Sequence, residues 1–176
     1  MESRIPAIEK HRTAYVKIRV IEGLEELTLA LKLLREGFSR NAANKAFLSW
    51  KALISALTVA NLERMPRDER EKEWYYRSGF LAPTTGLKGI SQRLEELGYR
   101  VNSLTAVALE LHRYGYNGLY KGASDYSDRE EAIRDVLYLA KEILSLVKQY
   151  FKDYWDEEVE EHYLMAEKEL ERATPA

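Results

Sequence analysis

The sequence predicts an all-α protein: an up-and-down bundle of four to five main helices, joined by short helices. Apolar residues recur at alternating steps of three and four along several segments, and no segment shows the period-two alternation of a β-strand. The 176 residues are 45% hydrophobic and 32% charged, as in globular chains with a core. We expect a single domain over residues 1–176, with a bundle core at about 14–155 and an acidic C-terminal helix at about 156–172.

The first two predicted helices form a pair. The first covers about 14–36, and its apolar stripe consists of Val20, Leu24, Leu27, Leu31, Leu34 and Phe38. The second covers about 40–64, with the same spacing at Ala43, Phe47, Trp50, Ile54 and Leu57. Only residues 37–39 separate the two helices, and so short a connection makes them antiparallel neighbours.

The remaining helices are separated by glycine, proline and capping signals. A short charged helix is predicted to end at about 77, and two further helices cover about 85–97 and 101–114. A capping-box signal at 127–130 begins a long helix that is predicted to reach about 155. The inward stripe expected on this helix is Ile133, Leu137, Ala140, Leu144, Val147, Phe151 and Tyr154, and that of the last helix is Val159, Tyr163, Ala166 and Leu170.

Several kinds of chemistry lack their sequence signals. The chain contains no cysteine, which excludes disulfides, thiolate metal sites and a cysteine nucleophile. It has no Glu-x-x-His, His-Glu-x-x-His or phosphate-loop motif, so we expect no metal and no cofactor. Apolar stretches are too short to cross a bilayer and the first residues are charged, so we expect no membrane association and a cytoplasmic location. The absence of cysteine with abundant charge also suits a thermophile.

The candidate site centres on His112, near the end of the fourth main helix. Arg113, Tyr116 and Asn117 follow it within five residues, before a glycine-rich stretch. A histidine, an arginine, a tyrosine and an amide at one helix end are residues that bind phosphate or stack on a base. The alternative is structural: His112 caps the helix end, and the tyrosine packs the glycine-rich turn.

A second candidate set lies at the start of the second helix and consists of Arg40, Asn41, Asn44 and Lys45. Arg40 and Asn41 occupy the positive end of the helix dipole, where anions bind readily. The alternative is that Ser39 caps this helix while the basic side chains are merely solvated. The other two histidines, His11 and His162, are expected on the surface.

Two segments give the sequence a family resemblance. Residues 40–53, Arg-Asn-Ala-Ala-Asn-Lys-Ala-Phe-Leu-Ser-Trp-Lys-Ala-Leu, are similar to the second-helix signature of the archaeal PaREP family. Residues 111–118, Leu-His-Arg-Tyr-Gly-Tyr-Asn-Gly, are similar to the histidine-containing segment of that family. The resemblance covers about 18–152, and the PaREP family in turn resembles the HEPN class of helical bundles.

The resemblance implies a HEPN-like homodimer that binds nucleotide or RNA. Many HEPN proteins are metal-independent ribonucleases of toxin or defence type, in which an arginine precedes the histidine by four to six intervening residues. Here the last arginine before His112 is Arg100, eleven intervening residues away. Arg4 and His11 match the spacing, but they precede the first bundle helix and the match is attributed to chance. Catalysis by His112 is therefore the alternative, and binding is the main expectation.

A third hypothesis is a non-catalytic module for dimerisation or for binding a partner protein. Three-and-four spacing on several helices favours helix pairing, and Trp50, Trp74 or Trp155 would anchor the partner. The charge distribution suits self-association, because residues 123–176 contain 7 basic and 15 acidic side chains while the rest of the chain is net basic. In this hypothesis the apolar stripe of the acidic helix is the docking element.

Overall fold

The computed structural model describes residues 7–175, most of which are helical. The eight α-helices in this range are α1 Ala7–Lys10, α2 Arg12–Arg35, α3 Ser39–Ala60, α4 Glu69–Arg77, α5 Leu87–Glu96, α6 Asn102–Asn117, α7 Arg129–Tyr150 and α8 Glu157–Ala173. Single turns of 3₁₀ helix occur at Gly79–Leu81 and Lys152–Tyr154. No β-strand occurs within 7–175, where strand-like pairing is limited to one isolated bridge. The all-α prediction is confirmed.

The five long helices α2, α3, α6, α7 and α8 form an up-and-down bundle. Arg129 at the start of α7 donates a hydrogen bond to the carbonyl oxygen of Gly37 in the α2–α3 turn, at 3.0 Å. Helix α8 runs beside α2 in the same direction, because Lys17 pairs with the start of α8 and Arg35 pairs with Glu169 near its end. The predicted architecture is therefore present.

Helix α3 is the central helix, buried along most of its length between α2 and α6. Small residues let α2 come close to it. The Ser49 hydroxyl donates to the carbonyl oxygen of Gly23 at 2.7 Å, and a Cβ atom on Gly23 would lie 3.0 Å from the side chain of Leu53. The α2–α3 pair therefore depends on backbone contact as well as on apolar burial.

A buried polar network joins α3 to α5 and α6. The indole N–H of Trp50 donates to the Thr105 hydroxyl oxygen at 2.9 Å, and the Ser91 and Thr105 hydroxyls lie 2.6 Å apart. All three side chains are inaccessible to solvent. Because buried polar groups are costly unless paired, this network fixes the register of the three helices.

Three helix boundaries differ from the prediction. Helix α3 ends at Ala60, four residues early, and the Asn61 amide donates to the Leu57 carbonyl at 2.8 Å as the chain turns. Helix α6 continues through Gly115 to residue 117, because packing against α3 supports a glycine that is unfavourable in an isolated helix. Helix α7 ends at Tyr150 rather than at about 155.

Two predicted stripes need correction. On α2 the stripe is buried from residue 20 to residue 31, but Phe38 lies beyond the helix and is 58% exposed. On α7 the buried face is centred on Ala132, Val136, Leu139, Ala140, Ile143 and Val147, whereas Ile133 and Leu137 are half-buried. The reason is that α7 packs against α3, α6 and α8 together, so its buried face is wider than a coiled-coil seam.

The acidic helix α8 packs on its own chain. Val159, Tyr163 and Ala166 belong to the hydrophobic core, so the stripe proposed as a docking element is covered by α2 and α7. Trp50 is also fully buried and offers no anchor to a partner, while Trp74 and Trp155 are half-buried. None of the helices in the described part of the chain is long and apolar enough to cross a membrane.

Candidate functional site

The α3–α6 crossing brings the two candidate segments together. These helices run antiparallel, with Ser39 opposite Tyr114 at one end and Trp50 opposite Thr105 towards the other. The Ser39 and Tyr114 hydroxyls are 2.8 Å apart and buried, so Ser39 does not cap α3 as one alternative supposed. Between these contacts, the accessible edge of the crossing carries His112 and Tyr116 on α6.

The His112 imidazole is stacked on a core phenylalanine. Its ring centroid lies 4.2 Å from that of Phe47, with an interplanar angle of 23°. Tyr116 follows one turn later on α6, with its ring 6.3 Å from the imidazole and 77% of the residue exposed. Stacking covers one face of His112 while the residue stays partly accessible, so the crossing presents aromatic surface to solvent.

Positive charge accompanies this aromatic surface. Lys51 lies one turn after Phe47 on α3, with its ammonium nitrogen 5.9 Å from the phenylalanine ring centroid and 3.4 Å from the Thr84 hydroxyl. Partial burial lowers the pKa of Lys51, and the charge of Arg19 lowers it further. Partial burial likewise lowers the pKa of His112 below 6.5, with a further contribution from the charge of Lys51. Both effects favour the neutral form of the imidazole.

Arg40 is held by the end of α6. Its Nε donates to the carbonyl oxygen of Gly115 at 3.3 Å and its Nη2 donates to that of Tyr116 at 2.7 Å. A cation at these free carbonyls complements the negative end of the α6 dipole. Arg40 therefore positions Tyr116, and two of its donor groups are occupied. Asn41 is exposed beside it, with no hydrogen bond from its side chain among residues 7–175.

Arg113 and Asn117 have partners of their own. Arg113 pairs with Glu110 at 3.2 Å and lies 3.9 Å from Asp125. It lines a cavity of about 530 Å³ bounded by α5, α6 and the segment after α6, whose lining does not include His112. Asn117 donates to the carbonyl oxygen of Ala123 at 3.4 Å. The structure therefore groups His112 with Tyr116 and Arg40. Arg113 lies on a different side of α6, beside the cavity.

The other expected residues lie apart from this site. His11 is exposed before α2, and His162 lies on α8 with its Nε2 3.8 Å from a Glu25 carboxylate oxygen. Arg4 is outside the described residues. Arg100 is exposed in the turn before α6, at the opposite end of that helix from His112. Among residues 7–175, no group of three or more potential ligands could hold a metal ion.

Sequence reasoning missed two side chains at the crossing, since Phe47 was assigned to the core alone and Lys51 was assigned no role. Asn44 was expected only as one of the polar residues that begin the second helix. Asn44 packs directly against Gly115, between Arg40 and Phe47 along α3. The available signal was the segment 40–53 itself, in which Asn44, Phe47 and Lys51 recur at the spacing of one helix face.

These features define an all-helical protein with an aromatic, basic surface where two antiparallel helices cross. The model of the archaeal PaREP1/PaREP8 family matches residues 18–137, which include both helices of the site. The chain therefore belongs to this family. Comparisons with curated proteins and with solved structures found no significant match.

Proposed function

We propose that this PaREP protein binds a nucleotide or single-stranded RNA on the surface where α3 and α6 cross. The observation that carries the proposal is the stacked pair of Phe47 and His112 beside the exposed ring of Tyr116. Aromatic rings that face solvent bind nucleobases by stacking, whatever the base. Here the buried Phe47 ring holds the His112 imidazole in place, so little ordering of that ring is needed when a base binds.

Electrostatics supports an anionic ligand at this position. Partial burial lowers the pKa of Lys51, and repulsion by the charge of Arg19 lowers it further. A phosphate beside Lys51 would offset the repulsion by Arg19 and raise the pKa of the lysine. Because the neutral imidazole of His112 adds no charge, we assign it to stacking and assign phosphate binding to Lys51.

The test is binding of a fluorescein-labelled ten-nucleotide RNA, measured by anisotropy at low salt with a chelator present. We expect Lys51→Ala to weaken binding about tenfold and to reduce the salt dependence. Tyr116→Ala should weaken binding by about five- to tenfold, while Tyr116→Phe keeps the ring and most of the affinity. The matched controls on α7 are Lys141→Ala and Tyr138→Ala, which remove the same groups from exposed positions elsewhere.

The proposal fails if wild-type protein binds no RNA or mononucleotide. It also fails if the variants on α7 reduce affinity as much as those at the crossing, since binding would then depend on surface charge alone. Arg113→Ala distinguishes the site predicted from sequence from the site at the crossing. If it weakens RNA binding as much as Lys51→Ala does, the binding site includes the side of α6 that carries Arg113.

Ribonuclease activity is the second candidate, and one observation favours it. Partial burial lowers the pKa of His112, and this favours the neutral imidazole that is required to accept a proton from a ribose 2′-hydroxyl. No arginine occupies the expected spacing before it. A denaturing gel of the same RNA, incubated with wild type and with His112→Ala, decides between the candidates. Cleavage lost in the variant would establish catalysis, and intact RNA in both lanes would leave binding alone.

The HEPN-like class, a homodimer, a thermophilic source and a cytoplasmic location accompany this proposal as predictions. The non-catalytic interaction module is the third candidate. Light scattering at several protein concentrations tests association directly. A dimer that binds no RNA would favour the interaction module, whereas RNA binding by a monomer would show that the crossing acts without a second copy.

A further inference from the structure

Asn44 packs against α6 near the C-terminal end of that helix. It faces Gly115, where a Cβ atom would lie 2.8 Å from Asn44 Nδ2, 2.5 Å from Cγ and closer still to Oδ1. The amide therefore fills the space that a side chain at position 115 would need. Tyr116 is the next residue on α6 and His112 lies one turn before it, so the amide packs against the same part of α6 that carries both rings.

The Asn44 amide makes no hydrogen bond to protein groups among residues 7–175, although its neighbours on α3 do. Ser39 pairs with Tyr114, Arg40 with the carbonyls at the end of α6, and Ser49 with Gly23. Asn44 is half-buried, and both polar atoms of its amide keep some contact with solvent. A planar amide, with donor and acceptor reachable from solvent, thus lies against a bare segment of helix.

We propose that Asn44 is the residue that selects the base, and that the base it selects is adenine. This inference rests on the proposed function. An asparagine amide pairs with adenine in two hydrogen bonds, donating to N7 and accepting from the N6 amino group. Both bonds lie in the plane of the base, so an edge bound by Asn44 leaves the face of the ring free to stack on the neighbouring aromatic surface.

The spacing along α3 separates base recognition from phosphate binding. Lys51 follows Asn44 by seven residues, two helical turns or about 10 Å along the axis on the same face. The base edge is bound at Asn44, and the phosphate attached to the same or the next nucleotide lies towards Lys51. The ligand class is therefore an adenine nucleotide or an adenine-containing single strand.

The experiment compares labelled ten-nucleotide oligo(A) and oligo(U), each with wild type, Asn44→Ala, Asn44→Asp and Lys51→Ala. Wild type should bind oligo(A) about tenfold more tightly than oligo(U). Asn44→Ala should bind both with the affinity of wild type for oligo(U). Asn44→Asp keeps the shape but presents only acceptors, and N7 of adenine is also an acceptor, so it should lose the preference as well. Lys51→Ala should weaken the binding of both RNAs by the same factor.

Gln149→Ala removes an exposed amide from α7 and should keep the preference for oligo(A). Melting temperatures identify variants that lose affinity through unfolding. If wild type binds both RNAs equally, or if Asn44→Ala keeps the preference while Lys51→Ala weakens binding, the assignment of Asn44 is wrong and the proposed function stands. If neither RNA nor adenosine monophosphate binds wild type, both proposals are wrong.

Discussion

The contact between Asn44 and Gly115 makes a prediction about stability that does not depend on any ligand. In an exposed helix, replacing glycine by alanine stabilises the protein by about 0.5–1 kcal/mol, because alanine loses less backbone entropy on folding. At position 115 the added Cβ would lie within 2.8 Å of three Asn44 atoms. Overpacking of this kind costs about 1–3 kcal/mol. We therefore expect Gly115→Ala to destabilise the protein by about 1–2 kcal/mol.

The same substitution should change sign when Asn44 is removed. In an Asn44→Ala background the clash with the amide is absent, so Gly115→Ala should then stabilise the protein by up to about 1 kcal/mol through its higher helix propensity. The coupling free energy between the two positions is the difference, about 2 kcal/mol, within the range measured for residues in contact. Urea unfolding of the four proteins gives the coupling directly, and each kcal/mol corresponds to about 2–4 °C in Tm.

Gly89 on α5 provides the matched control. It is helical like Gly115, but a Cβ atom there would meet nothing within 4 Å. Gly89→Ala should therefore stabilise the protein whichever residue occupies position 44. If Gly115→Ala stabilises the wild-type chain as Gly89→Ala does, or changes stability equally in both backgrounds, Asn44 does not pack against Gly115 as the structure has it.

Three further predictions concern the core, the site and the acidic helix. Thr105→Val keeps the shape but removes the acceptor of the Trp50 indole N–H, and should lower the free energy of unfolding by about 1–3 kcal/mol in urea titrations. In an NMR titration the His112 imidazole should show a pKa below 6.5, and Lys51→Met should raise that pKa by removing a nearby positive charge; an unchanged midpoint would show that the two groups do not interact. Burial raises the pKa of Glu169, but hydrogen bonds from two arginines outweigh it and hold this pKa below 4.5. Since the depressed pKa stabilises the fold above pH 4.5 and this contribution is lost as pH falls through the folded-state pKa, Glu169→Gln should be less stable at pH 7 and lose less stability on acidification.

The fold class could be predicted from sequence because helix formation follows a local pattern. The steps of three and four at residues 20–31 identify α2 and its buried face, and the three-residue connection to α3 makes the two helices antiparallel. The histidine at residue 112 and the tyrosine one turn later were also visible as neighbours on one helix. Each of these inferences depends on residues close together in the chain.

The site needed the tertiary structure, because its contacts join residues about seventy positions apart. The sequence did not show that Phe47 stacks on His112, or that Arg40 donates hydrogen bonds to carbonyl oxygens at the end of α6. Those outcomes depend on the crossing and register of two helices that are not consecutive.

The sequence by itself determined the helices, their approximate ends and the family to which the chain belongs, since periodicity, caps and signature segments are local properties. The tertiary structure alone decided which faces meet. Gly115 shows the reason: in sequence it indicates the end of a helix, yet in the structure it lies within α6 as the position where Asn44 of α3 can approach the backbone. Packing against a second helix outweighs the weak local preference of one residue.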